Sequence, residues 1–196
     1  MQAILTQIFT EDEADDILAY LLTKEIEYHK PYKRFNRIVK VPRGQASYTA
    51  TPDIHYNYGG TAGGSPINEV MDERMQEITK RVNAATGNSF NTILMNVYRN
   101  GNDNIALHQD KETGWAEGSG FATVAFGGER VFLIERNDTK EKTRIMHKKG
   151  LCIEMPHPMN SHFKHGVPPN SAKDCRISLT FRQIQADKVP SATGGH

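Results

Sequence analysis

The sequence has little of what membrane-bound or disulfide-rich proteins need. No apolar run approaches the roughly 20 residues that cross a bilayer, and the start MQAILTQIFTEDE is too acidic and too briefly apolar for a signal peptide. Only two cysteines occur, Cys152 and Cys175, and neither has the CxxC or CxxH spacing of metal sites. These absences predict an intracellular protein, nuclear or cytoplasmic and not secreted, that contacts no membrane and keeps both thiols buried and reduced.

Net charge is also nearly absent, because 24 Lys+Arg oppose 23 Asp+Glu in 196 residues, which gives +1. The charge is nevertheless unevenly distributed. Five acids lie in residues 11–16, whereas residues 28–52 contain no acid and interleave six basic residues with four aromatic ones. Such a stretch suits a nucleic-acid groove, because cations bind phosphates and flat rings stack on bases. A solvated basic loop is the alternative interpretation.

The length fits one compact domain, and its first half contains two helical patterns. Thr10 and Glu13 form a capping-box pair, and apolar residues at helical spacing follow, so a first helix is predicted over about 11–27. A second helix is predicted to begin at Ser65 and Pro66, a good N-cap and first-turn pair, and to run along an apolar stripe toward Gly87.

From Phe90 onward the helical period gives way to short β-branched and aromatic runs separated by Gly, Asn and Asp turns. The runs are NTILMNVY, FATVAF, RVFLIE, TRIMH, GLCIEM and RISLTFRQI. They predict a mainly β fold with flanking helices (α+β), built on an antiparallel jelly-roll core with two helices packed on one sheet. The tail, residues 186–196, is predicted to be disordered.

His108 and Asp110 form an HxD triplet shortly after the predicted strand at 91–98. The two side chains can bind one metal ion if the backbone bends between them, and a second histidine from a distant strand would complete a facial triad with open positions. The candidate second histidines are His147, His157, His162 and His165. His165 is favoured because turn formers follow it, and the others are interpreted as ordinary polar residues. Zinc can use similar ligands, so the identity of the metal stays open.

Two predicted strands carry polar side chains that alternation places on one face. In the strand 176–182 these are Arg176, Ser178, Thr180 and Arg182. If this strand is central, the inward arginines need an anion, and a small dicarboxylate fits them, whereas the alternative is a solvent-exposed polar face. In the strand 91–98, Asn96 and Tyr98 share a face, either as ordinary hydrogen-bonding groups of the sheet or as donors to carboxylate oxygens.

Taken in order, four motifs resemble the AlkB-like branch of the Fe(II) and 2-oxoglutarate dependent dioxygenases. The motifs are Asn96-x-Tyr98, His108-x-Asp110, His165 and Arg176-x-Ser178-x-Thr180-x-Arg182. The resemblance covers about residues 30–185, and VPRGQASY followed by IHYNYGG is closest to the members that repair DNA. It implies a double-stranded β-helix core at about 90–185 and a nucleotide-recognition region at about 28–66, within one domain over 1–185.

The same resemblance assigns roles to individual residues. It implies that Fe(II) is bound by His108, Asp110 and His165. It implies that 2-oxoglutarate is held by Asn96, Tyr98, Arg176, Ser178, Thr180 and Arg182, with each arginine pairing with one carboxylate. It implies a substrate site formed by Phe35, Arg43, Tyr56, Tyr58 and Glu112, in which Phe35 fills the gap left by a flipped base and the two tyrosines form the wall of the base pocket. The chain departs from the pattern at Ser178, which often is Asn, and at Lys111, where some duplex-repairing relatives have an acid.

The activity that the resemblance implies is oxidative demethylation of N-alkylated bases such as 1-methyladenine and 3-methylcytosine, in DNA or also RNA, by a monomer. The reaction converts 2-oxoglutarate and O2 to succinate and CO2 and releases formaldehyde. Two alternatives are kept. A hydroxylase of a protein or small molecule would leave the basic and aromatic stretch at 28–58 without a purpose, and a non-catalytic nucleic-acid-binding module is disfavoured because every ligand position of the motifs is filled.

Overall fold

The computed structural model describes residues 1–28, 31–34, 37–54 and 68–185, with the backbone alone for 31–34 and 37–40. These residues form a mainly β fold with three helices, which confirms the predicted class. The helices are α1 (Glu11–Leu21), α2 (Glu73–Thr86) and α3 (Met159–His162). The strands are β1 (Ile4–Gln7), β2 (Glu27–Tyr28), β3 (Pro31–Arg34), β4 (Arg37–Lys40), β5 (Gly44–Thr49), β6 (Asn68–Val70), β7 (Thr92–Tyr98), β8 (Ile105–His108), β9 (Phe121–Gly127), β10 (Arg130–Arg136), β11 (Lys142–His147), β12 (Leu151–Met155), β13 (Phe163–Val167) and β14 (Arg176–Arg182).

Two sheets of the jelly roll hold the strands of the core. The larger has the order β1-β12-β9-β14-β7-β5-β2, with β6 paired in parallel to β5, and the smaller has the order β11-β10-β13-β8. Strands β3 and β4 form a separate two-stranded sheet. Strand β14 lies in the middle of the larger sheet, between β9 and β7, so both of its faces can be covered.

Apolar side chains fill both sides of the larger sheet. On one side Ile177, Leu179 and Phe181 of β14 are completely buried in a cluster with residues of α1 and α2, which confirms that two helices pack on one sheet. A second cluster contains Tyr98 of β7 together with Phe132 of β10 and other residues of the smaller sheet. The alternate residues of β7 and β14 therefore point toward the space between the sheets.

Both long helices are shorter than predicted, for a tertiary reason. Helix α1 has the predicted capping box but ends at Leu21 rather than near residue 27, because Glu27 pairs with Gln45 of β5. Helix α2 begins at Glu73 with Asp72 as N-cap, not at Ser65 and Pro66, because β6 precedes it. Its predicted end is correct, since Gly87 caps it in the left-handed region at φ 70°.

The six strands predicted after Phe90 are confirmed within one or two residues, but β8 and β13 were not predicted. His165 lies inside β13 rather than before a turn. Cys152 is buried as predicted, whereas Cys175 is only partly buried, and both thiols are free. The predicted tail lies outside the described residues. No helix in the described part of the chain is long and apolar enough to cross a membrane.

Candidate active site

Strand pairing brings the first and last residues of the predicted triad together. Strands β8 and β13 are antiparallel neighbours, and His108 is directly opposite His165 in their register. Cα atoms of directly opposed residues are only about 4.5–5.5 Å apart, so the two imidazoles share one face of the smaller sheet. Asp110 follows β8 by two residues, where the chain has left the strand and can turn its carboxylate back toward both rings.

The three side chains form a cluster whose ligand atoms all lie within 4.8 Å of one another. Asp110 Oδ1 is 3.3 Å from His108 Nε2 and 3.8 Å from His165 Nε2. His108 Nδ1 lies 2.9 Å from the Ala106 carbonyl oxygen, which can only accept, so Nδ1 carries the proton. His108 Nε2 is thus the ring nitrogen that faces the cluster, and it is available to bind a metal ion.

Among the described residues His165 is held by ring packing, and its Nδ1 has no hydrogen-bond partner there. The rings of Phe121 and Phe132 lie 4.8 and 5.6 Å from its ring, measured between centroids, and the His108 ring lies at 4.4 Å. Burial lowers the pKa of His165 to about 3, although Asp110 opposes the shift. The imidazole is thus neutral at neutral pH, which is the form that binds metal ions.

Asp110 is almost completely buried, and its two oxygens have different surroundings. Oδ1 faces the histidines, and Oδ2 accepts hydrogen bonds from Arg182 Nε at 3.1 Å and Nη2 at 2.5 Å. Burial by itself raises the pKa of the Asp110 carboxyl, but the Arg182 guanidinium and the two imidazoles more than reverse this and hold the pKa far below its usual range. Asp110 therefore remains a carboxylate inside the protein.

Asn160 of α3 anchors the segment that carries Asp110. Its Oδ1 accepts from the Asp110 backbone N–H at 3.0 Å, and its Nδ2 donates to the Asp110 carbonyl oxygen at 3.0 Å and to Glu112 Oε1 at 2.8 Å. Asn160 is buried, so these bonds have little competition from water. The sequence analysis did not single out Asn160, because nothing in its local pattern shows that it meets a segment 50 residues away.

A pocket with about 370 Å³ of empty space, part of it open to solvent, lies between the sheets. Its lining contains the two histidines and all six residues predicted to hold 2-oxoglutarate. The lining residues are Asn96, Tyr98, Ile105, His108, Phe121, Thr123, Phe132, His165, Gly166, Val167, Arg176, Ser178, Thr180 and Arg182. The polar face of β14 thus points inward, not into solvent.

The buried arginines of β14 have different partners. Arg182 is bound to Asp110, at the metal-binding end of the pocket. Arg176 donates from Nη2 to His147 Nδ1 at 3.0 Å, and its Nε and Nη1 have no hydrogen-bond partner among the described residues. A buried cation with two unused donors fits an anionic ligand, because an unpaired buried charge is otherwise costly.

The predicted substrate residues are only partly described. Arg43 is buried, and its Nε donates to Asn96 Oδ1 at 2.8 Å, so it supports the pocket wall from behind. Glu112 is exposed just beyond Asp110 and accepts from Asn160. Phe35, Tyr56 and Tyr58 lie outside the described residues.

The three alternative histidines are not part of the triad cluster. His157 and His162 are exposed, whereas His147 is completely buried and contacts Arg176. The interpretation of His147 as a satisfied polar residue left out its contact with Arg176, which only the tertiary structure shows.

The donor set agrees with one type of metal site. Two imidazoles and one carboxylate on one side of a pocket form a 2-His-1-carboxylate facial triad, the arrangement of non-haem Fe(II) oxygenases. The guanidinium groups of Arg176 and Arg182 are buried and line the same pocket, so positive charge lies beside the triad. The residues therefore fit Fe(II) together with a dicarboxylate co-substrate.

Comparison with known families gives the same result. Residues 2–182 match the 2OG-Fe(II) oxygenase superfamily. The chain belongs to this superfamily and is an Fe(II) and 2-oxoglutarate dependent dioxygenase that uses O2.

Individual relatives refine the comparison. The chain is 35% identical to DNA oxidative demethylase ALKBH2 of Bos taurus, covering 91% of this chain and 67% of that protein. It is 33% identical to DNA oxidative demethylase ALKBH2 of Homo sapiens, covering 93% of this chain and 73% of that one. The solved structure of OsALKBH1 superposes with a TM-score of 0.63 at 18% identity, covering 92% of this chain and 97% of that one, which shows a shared fold. The AlkB-like resemblance of the sequence is confirmed.

Proposed function

We propose that this protein repairs alkylated DNA by oxidative demethylation of bases such as 1-methyladenine and 3-methylcytosine, and that RNA is a further substrate to test. The observation that carries the proposal is the buried His-Asp-His cluster in a pocket lined by two arginines. The similarity to two DNA oxidative demethylases over more than nine-tenths of the chain supports DNA as the substrate.

The triad supplies the metal site. His108 Nε2, His165 Nε2 and Asp110 Oδ1 would bind Fe(II), and Arg182 keeps Asp110 ionised by binding its other oxygen. Bound Fe(II), with 2-oxoglutarate and O2, supplies the oxidation that hydroxylates an N-methyl group, after which formaldehyde leaves and succinate and CO2 remain as co-products. The chain needs no nucleophile of its own for this chemistry, and its task is to orient groups and exclude water.

The co-substrate lies between the arginines in this proposal. Arg182 is next to the triad, whereas Arg176 is six positions away along β14, on the order of 20 Å of strand. Arg176 therefore binds the carboxylate remote from the metal, with its Nε and Nη1 as donors. Asn96, Tyr98, Ser178 and Thr180 complete the polar wall.

The substrate site is proposed from the resemblance together with Glu112. This exposed carboxylate is anchored to Asn160 beside the triad and can attract a methylated base that carries positive charge. Phe35, Tyr56 and Tyr58 complete the proposed site, and Arg43 supports it through its buried hydrogen bond to Asn96, within a nucleotide-recognition region at about 28–66. The jelly-roll core at about 90–185 belongs to the same domain, over 1–185. We further propose that the protein acts as a monomer inside the cell, in the nucleus or the cytoplasm.

The test is an Fe(II)- and 2-oxoglutarate-dependent assay of formaldehyde release. Substrates are single- and double-stranded DNA and RNA that carry 1-methyladenine or 3-methylcytosine. The wild-type protein is expected to release formaldehyde from methylated DNA, and His108→Ala is expected to abolish release while its circular dichroism spectrum stays unchanged, because one metal ligand is lost. His157→Ala, at an exposed histidine outside the cluster, is the matched control. Absence of turnover on every oligonucleotide, or full turnover by His108→Ala, contradicts the proposal.

A further inference from the structure

Arg176 is oriented by a side chain that does not line the pocket. Its guanidinium is buried, with 1% of the residue exposed, and its Nη2 donates to Nδ1 of His147 at 3.0 Å. His147 is completely buried and is not among the residues that line the pocket. The contact uses one donor of the guanidinium and leaves Nε and Nη1, which have no partner in the described part of the chain, for a ligand.

His147 has one protonation state that suits both the Leu151 carbonyl and the Arg176 guanidinium. Its Nε2 lies 2.9 Å from the Leu151 carbonyl oxygen, which only accepts, so Nε2 carries the hydrogen. Its Nδ1 faces a guanidinium, which only donates, so Nδ1 holds a lone pair. Burial, and Arg176 beside it, lower the pKa of His147 well below its usual value, in agreement with this neutral form. The Phe132 ring packs edge-on at 5.9 Å between centroids and restricts the imidazole further.

We propose that His147 is a positioning residue for 2-oxoglutarate: anchored on the Leu151 carbonyl, it fixes the Arg176 guanidinium so that Nε and Nη1 face the carboxylate remote from the metal. The inference rests on the proposed role of Arg176 and adds the residue that orients it. An arginine side chain has several rotatable bonds, and fixing it before the ligand arrives removes part of the entropic cost of binding.

The variants His147→Leu and His147→Asn separate the hydrogen bond from packing. Leucine fills a similar volume but cannot accept from Arg176, whereas asparagine offers an amide oxygen near the place of Nδ1. The control Met146→Leu changes an exposed neighbour on β11. Binding of 2-oxoglutarate is measured by calorimetry on Mn(II)-loaded protein without O2. Binding of Mn(II) is measured in a separate titration, with the fluorescence of Trp115 as the signal.

His147→Leu is expected to weaken 2-oxoglutarate binding about tenfold, since a hydrogen bond to a buried charge is lost. His147→Asn is expected to stay within about threefold of the wild type, and Mn(II) affinity should be equal in all variants. In turnover, His147→Leu should raise the KM for 2-oxoglutarate, with kcat and the KM for the oligonucleotide unchanged. A purely structural role would instead weaken Mn(II) and 2-oxoglutarate together.

Three results overturn the inference. One is equal affinity of the wild type and His147→Leu for 2-oxoglutarate, and another is equal loss of metal and co-substrate binding in both His147 variants. The third comes from 15N NMR of the wild-type protein, which needs no variant to fold: a His147 ring protonated on Nδ1 contradicts the proposed contact. If the wild type itself does not bind 2-oxoglutarate, both the proposed function and the inference fail. If the wild type binds 2-oxoglutarate and one of the three results is found, only the inference on His147 fails.

Discussion

Asp110 connects the metal site to the co-substrate site through its two oxygens. Oδ1 is directed at the histidines, and Oδ2 is bound by Arg182, so the carboxylate keeps its charge although it is buried. Removal of one partner of a buried ion pair leaves an uncompensated charge, which typically costs about 3–5 kcal/mol. Oδ1 would therefore bind the metal ion while Oδ2 remains bound to Arg182.

Asn160 provides a prediction at the residue scale. Asn160→Ala removes three hydrogen bonds to the segment that carries Asp110 and Glu112, and we expect it to weaken metal binding about 10–100-fold, as is typical for residues that orient metal ligands. The measurement is a Mn(II) titration followed by the fluorescence of Trp115, whose ring centroid lies 5.7 Å from the Arg182 guanidinium and which is the single tryptophan of the sequence.

Asn137→Ala is the matched control for this titration. Asn137 also binds α3, because its Nδ2 donates to the Ser161 carbonyl oxygen at 3.1 Å, but that bond is exposed and does not involve Asp110. Equal metal affinity of Asn160→Ala and the wild type would show that the backbone around Asp110 keeps its position without Asn160.

Strand β14 has one face in the apolar core and the other face in the pocket. Its odd-numbered residues, such as Leu179, are completely buried against the helices, and its even-numbered residues line the pocket. A strand with both faces buried is rigid, and two arginines on it keep a constant separation. A one-residue slip in its pairing with β7 would move both arginines into the apolar cluster, so the register of this strand is strongly determined.

The N-terminus of α1 gives a prediction of pH dependence at the element scale. Arg81 binds both carboxylate oxygens of Glu13, at 2.7 and 3.2 Å, and the Thr10 backbone N–H donates to Oε2, which together lower the pKa of Glu13 from 4.5 to about 2. The stabilising contribution is therefore present above pH 4.5 and is lost as the pH falls toward 2. It is modest, because Glu13 is partly exposed and salt screens the ion pair.

Thermal unfolding of Glu13→Gln between pH 7 and pH 2 tests this expectation. The substitution keeps a side-chain oxygen for the capping box and removes the charge, so the variant should melt at a lower temperature than the wild type at pH 7. The difference should shrink below pH 4.5. Asp12→Asn, in the same first turn, is the control. A difference that stays constant down to pH 2 would mean that the charge of Glu13 contributes nothing.

At the scale of the whole molecule, the candidate active site is formed by side chains from both sheets. Arg176 and Arg182 belong to the larger sheet, whereas His108 and His165 belong to the smaller. Any ligand that contacts both sets binds the folded state alone and stabilises it by mass action. The pocket is therefore a place where binding and global stability are coupled.

Mn(II) and 2-oxoglutarate are expected to raise the melting temperature. At a hundredfold excess over the dissociation constant the stabilisation is about 2.7 kcal/mol, which corresponds to roughly 5–10 °C for a chain of this length. A chelator should reverse the increase, and His108→Ala should show a much smaller one. Differential scanning calorimetry measures both. An unchanged melting temperature of the wild type at saturating ligand would contradict coupling between the site and the fold.

Much of the fold followed from patterns that are local along the chain. The strands after Phe90 were visible as short β-branched and aromatic runs between turn formers, and alternation within β14 showed which of its side chains share a face. The capping box of α1 and the glycine end of α2 were likewise visible. Strands β8 and β13 were missed because IALH and FKHGV are not runs of β-branched and aromatic residues, and the helix boundaries were wrong where β2 and β6 pair with β5.

The residue types of the triad and of the arginine strand could be recognised from the sequence, because side-chain chemistry and spacing belong to the chain itself. How these residues assemble into one site could not be predicted from the sequence. The register that sets His108 opposite His165, the burial of Arg43 against Asn96 and the contact of His147 with Arg176 each join segments far apart in sequence. Such contacts depend on how strands pair and sheets pack throughout the molecule, which no local pattern encodes.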